Sequence, residues 1–110
     1  MHRSMIIRDM IDRMEKEVCM LVRHLQVLRL VIANEPIGIE RMSNETGYEH
    51  HKVRYSLRVL EEERLIEPTS QGARTTDQTG GFVDELDTKT TEISEQLDGM
   101  RLENTGESVQ

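Results

Sequence analysis

The sequence predicts a mainly α-helical fold that carries one small β-hairpin. Three observations predict it. Apolar residues at helical spacing fill the first third of the chain, with no Gly or Pro between Met1 and Asn34. Residues 38–63 read as two short helices divided by a glycine turn at Gly47. Leu65-Ile66-Glu67-Pro68, a turn at Gly72 and Ala73-Arg74-Thr75-Thr76 read as a hairpin. Helix, turn, helix and hairpin in that order make a winged helix-turn-helix, a module that usually sets its second helix in the DNA major groove.

The first element spans about residues 4–33. Ile7, Ile11, Met14, Val18, Leu21, Leu25, Leu28 and Ile32 follow alternating steps of four and three. That spacing keeps them on one stripe and makes the heptad seam of a coiled coil. Ser4 is a candidate N-cap, and Asn34-Glu35-Pro36 stops the helix. Residues 1–20 are read as a dimerisation arm and residues 21–76 as the small domain. Folding of the arm back onto its own domain is the alternative.

Gly47 suits the left-handed residue that ends a short helix, and Tyr48 can bury its ring as a core anchor. The following helix covers about residues 50–62. At about 100° per residue, Val53, Ser56, Leu57 and Leu60 face the core. His51, Tyr55, Arg58 and Glu62 lie opposite, with Lys52 and Arg54 on the two flanks. The acidic run Glu61-Glu62-Glu63 sits at the far end.

The last element repeats the four-three alternation through Thr79, Val83, Leu86, Thr90, Ile93, Leu97 and Met100. Asp77 is its candidate N-cap, although Gly80 and Gly81 allow a start as late as Phe82. Thr88, Thr90 and Thr91 are weak helix formers, so packing must hold this helix. Residues 77–103 are read as a heptad helix for dimerisation or for packing on the arm. Residues 104–110 are polar and expected to be disordered. The expected dimer interface comprises Ile7, Ile11, Met14, Val18, Leu86, Ile93, Leu97 and Met100. Met10, Met14, Met20 and Met100 would pack adaptably there. Zipping of the two terminal helices within one chain is the alternative pairing.

Composition narrows the function classes. The chain has 110 residues, 35% hydrophobic and 3% aromatic, which allows one modest core plus extensions. Nothing approaches the roughly 20 consecutive apolar residues of a membrane span. Arg8, Asp9, Asp12 and Arg13 interrupt any signal-peptide pattern. A lone Cys19 excludes an intramolecular disulfide and fits a reducing cytoplasm. The net charge of −7 is uneven. Residues 1–76 hold 12 Lys+Arg against 12 Asp+Glu, whereas residues 77–110 hold 2 against 9, and 2 − 9 = −7. Local basic surface governs attraction to DNA, because charges more than about 8–10 Å apart are screened at physiological salt.

The candidate DNA-binding residues are therefore His51, Lys52, Arg54, Tyr55 and Arg58 on the second helix, with Arg74 on the hairpin. Arg grips guanine at two points, while Lys and Tyr more often hold phosphates. The alternative is that these charges merely solvate an exposed face. No metal site is expected, because His50 and His51 project about 100° apart on a helix. Cys19 is read as a partly buried structural thiol, with a redox sensor as the alternative. No phosphate loop, dinucleotide fingerprint or catalytic triad pattern occurs, so no cofactor, small-molecule ligand or enzymatic activity is expected.

Three strings carry a family resemblance: Met42-Ser43-Asn44-Glu45-Thr46-Gly47-Tyr48, His51-Lys52-Val53-Arg54-Tyr55-Ser56-Leu57-Arg58-Val59-Leu60-Glu61-Glu62 and Leu65-Ile66-Glu67-Pro68. Over about residues 21–100 the chain resembles the winged helix-turn-helix of small archaeal predicted transcriptional regulators. The resemblance implies a three-helix core plus wing and sequence-specific binding of double-stranded DNA, as a homodimer. Such domains usually have Gly where this chain has Arg64, which must adopt left-handed geometry or end the helix differently. The competing expectation is a winged-helix module of the transcription machinery that contacts protein and not DNA.

Overall fold

The computed structural model describes residues 5–103. The elements run α1 (Ile6–Asn34), α2 (Ile39–Thr46), α3 (His50–Glu62), β1 (Ile66–Thr69), β2 (Gly72–Thr75) and α4 (Thr79–Gly99). The chain is thus mainly helical with a two-stranded antiparallel hairpin. It divides into two units, Met1–Thr79 and Gly80–Gln110. Ser4 and the expected disordered residues 104–110 lie outside the described residues.

The core of the first unit is drawn from every element around it. Val27, Leu28 and Val31 come from α1, and Met42 from α2. Val53 and Leu60 come from α3, and Ile37, Leu65, Ile66 and Ala73 from the connections and hairpin. The face of α1 that enters this core is His24, Val27, Leu28 and Val31. It differs from the heptad seam, of which Leu28 alone is buried. Ile7 is 70% exposed and Ile32 43% exposed. The helix therefore has two apolar faces, rotated by about 110° at 100° per residue. The seam keeps its apolar character along a side that the domain does not use.

Glycine and its substitutes set the turns. Gly47 closes α2 with φ 82°, its N–H donating to the Ser43 carbonyl. The end of α3 uses Arg64 in the same left-handed region, with φ 62°. Arg64 N–H donates to Glu61 O, and Leu65 N–H to Leu60 O at 2.9 Å. This is the Schellman pattern that normally employs Gly. Leu60 and Leu65 are both buried, which supplies its usual apolar contact.

In the hairpin, Ile66 stands opposite Thr75 and Glu67 opposite Arg74. Ile37 joins as a one-residue third rung, exchanging hydrogen bonds of 3.1 and 2.9 Å with Ala73. Gly72, at φ 132°, lets this rung approach. A Cβ there would lie 2.6 Å from the carbonyl carbon and oxygen of Ile37.

Thr76, and not Asp77, caps the start of α4. Thr76 Oγ1 accepts from Gln78 N–H, and Thr79 Oγ1 accepts from Thr76 N–H at 3.0 Å. This reciprocal pair is a capping box with Thr in the place of the usual Glu. The helix starts at Thr79, ahead of Gly80. Along α4, Ile93 and Leu97 of the expected seam are exposed and Leu86 is half-buried, while Met100, also exposed, lies just past the end of the helix.

Candidate nucleic-acid interface

Helix α3 is held from beneath by α1. Val53, Ser56 and Leu60 are its buried positions, as the apolar period predicts, whereas Leu57 is only half-buried. The hydroxyl of Ser56 is fully enclosed. It accepts from Arg23 Nε at 3.2 Å and lies 2.7 Å from His24 Nδ1. One arrangement satisfies all three groups: Ser56 O–H donates to an unprotonated Nδ1 while its lone pairs take the Arg23 N–H. Burial, and secondarily the Arg23 cation, push the His24 pKa below its ordinary 6.5. Both influences penalise an imidazolium at this place.

Arg23 and His24 also meet the ring of Tyr55. The guanidinium carbon lies 6.0 Å from the ring centre, and the imidazole centre 5.7 Å. Tyr55 thus leans toward α1 and away from the outermost face. Tyr48 is half-buried, and its hydroxyl donates to Gln26 Oε1 at 2.6 Å. These polar anchors escape a search for apolar period. A signal did exist: His24 sits three, four and seven residues before Val27, Leu28 and Val31, on the same helical face.

The predicted cationic residues separate into three places. His51, Arg54 and Arg58 are exposed on the face of α3 turned away from its buried positions. Arg54 and Arg58, one turn apart, have no ion partner among the described residues. His51 Nδ1 lies 3.4 Å from Glu49. Lys52 is on the other flank, beside a shallow groove between α1 and α3 that Val18, Cys19, Val22 and Tyr48 also line. Arg74 pairs across the hairpin with Glu67 at 3.3 Å, so its charge is partly matched. Cys19 is exposed, in contrast to the partly buried thiol expected.

Among the described residues, no three His, Cys, Asp or Glu side chains converge to hold a metal ion. No described helix is long and apolar enough to cross a membrane.

No family model and no curated protein matches the chain. A solved structure of a protein with unknown function from Listeria innocua Clip11262 is similar, with a TM-score of 0.52 at 20% identity. The match covers 96% of this chain and 86% of that one. It extends the likeness in fold beyond the small domain to the terminal helices and carries no functional assignment.

Proposed function

We propose that this chain is a sequence-specific DNA-binding transcription regulator of the winged helix-turn-helix type, acting as a homodimer with α3 in the major groove. One observation carries the reading. Arg54 and Arg58 stand a single turn apart on an exposed face and are free of carboxylate partners among the described residues. Two unmatched guanidinium groups on a helix anchored from below suit two-point recognition of guanine edges. Glu61, Glu62 and Glu63 follow at the end of the helix, where a groove-bound helix departs from the duplex. Arg74 then serves as a minor contact of the wing. His51 and Lys52 flank the reading face, and Tyr55 braces it.

A second reading has its own support. All the net negative charge lies in residues 77–110, which favours a winged helix that contacts protein in the transcription machinery. Binding to fragments selected from the source genome separates the two. Arg54→Ala and Arg58→Ala should each weaken specific binding by about 5- to 150-fold, the equivalent of 1–3 kcal/mol. Binding unchanged by both substitutions would eliminate α3 as the reading element.

A further inference from the structure

We infer that two copies of this chain pair through residues 6–21 of α1 in antiparallel orientation, in a register centred between Asp12 and Arg13. The inference rests on the dimeric reading above and adds the orientation and register of the contact. The apolar stripe of the arm is open: Ile11 is 49%, Met14 37%, Val18 46% and Leu21 49% exposed. The domain's own core uses a different face of α1, beginning at His24. The stripe is therefore available over its whole length up to the point where the domain begins.

Charge selects the mate and its direction. Arg8 and Glu15 flank the stripe on one side, and Met10 and Glu17 on the other. None of the three charged residues has an ion partner among the described residues. In the inferred register Ile7 packs against Val18 of the partner subunit and Ile11 against Met14 of the partner subunit. Arg8 then meets Glu15 of the partner subunit, and the twofold axis repeats that pair. Shifting by one heptad in one direction sets Glu15 and Glu17 each against its own copy. Shifting the other way sets Arg8 against its own copy. A parallel pair in register places Glu15 beside Met10 and Glu17 beside Val22, with no attraction gained. Among these arrangements a single one matches opposite charges without opposing like ones.

The test is cross-linking of the full chain carrying Cys19→Ser, with Ile7→Cys and Val18→Cys made separately and co-expressed. A short bifunctional maleimide should join the Ile7→Cys chain to the Val18→Cys chain at least about tenfold faster than it joins Ile7→Cys chains to each other. Two copies of position 7 would be about 16 Å apart along the axis, at 1.5 Å per residue over eleven residues. Efficient self-linking of Ile7→Cys would overturn the orientation. A sedimenting dimer without the mixed product would overturn the register while leaving the dimeric reading intact. A monomer at every concentration would end both. Charge swaps supply an independent readout: Arg8→Glu or Glu15→Arg alone should weaken dimerisation about three- to tenfold. An equal mixture of the two variants should recover it as a heterodimer, and failure to recover would also count against the register.

Discussion

His24 Nδ1 on α1 and Ser56 Oγ on α3 meet at 2.7 Å inside the protein, and the Arg23 guanidinium shares the same oxygen. This contact joins the helix that carries the free arginines to the long helix behind it. It also favours a neutral imidazole, because protonation would place a second cation against Arg23 in a buried setting.

A pH dependence follows, and its sign is fixed by the direction of the shift. The His24 pKa lies below 6.5 in the folded chain. The unfolded chain takes up its proton near the ordinary value. Below about pH 6.5 the unfolded state therefore binds more protons, and stability falls as pH falls toward the folded pKa. Above about pH 7.5 both states are neutral at this residue and its contribution no longer changes. Urea midpoints at pH 7.5, 6.5 and 5.5 should decline more steeply for the natural chain than for His24→Gln. Parallel declines would mean that His24 is not the titrating group.

Gly72 and Gly47 both occupy left-handed backbone, yet alanine should affect them unequally. At Gly47 an added Cβ meets nothing within 4 Å, so Gly47→Ala carries the conformational penalty alone, about 1–2 kcal/mol. At Gly72 the added carbon strikes the backbone of Ile37, which cannot rotate away. Gly72→Ala should cost about 3 kcal/mol or more, as strain and overpacking combine. Chemical denaturation of the two variants side by side checks the order. Equal losses would show that the Ile37 rung yields easily.

Arg64 presents the reverse case. Its positive φ serves the Schellman ending of α3, and its exposed side chain has no ion partner among the described residues. Arg64→Gly should raise stability by about 0.5–1 kcal/mol, the relief of left-handed strain less the extra freedom that glycine has in the unfolded chain. A thermal midpoint that stays level or drops would indicate that the Arg64 stem contributes packing.

Much of the architecture was legible because its causes are local. Apolar period located the first, third and last helices, and Gly47, Pro68 and Gly72 located the turns. The period alone points Val53, Ser56, Leu57 and Leu60 at the core; Leu57 is half-buried and the other three are buried. What escaped notice depends on residues distant in sequence. The heptad stripe continues past Leu21 to Leu25 and Ile32, yet the core takes the neighbouring face that includes polar His24. The reason is Ser56, 32 residues away, which makes a buried imidazole tolerable. Asp77 and Thr76 are both plausible caps by type. The choice between them rests on Thr79, whose hydroxyl also donates to the Leu65 carbonyl across fourteen residues. The same limit applies to the cationic residues. A helical wheel sorts exposed from buried, but Arg74 looked free until its cross-strand partner Glu67 was placed opposite it.

The rung between Ile37 and Ala73 has a consequence for how this architecture can vary. The hairpin is clamped close to its turn, on the returning strand, where Ala73 stands one residue from the closing pair Thr69 and Gly72. Thr69, Ser70 and Gln71 beyond that clamp are exposed. Extra polar residues spliced in at the tip would extend the reach of the hairpin without levering on the domain beneath. The fold thereby separates a part free to diversify from a part that must stay put, and related chains can acquire new contacts at the tip while inheriting the same foundation.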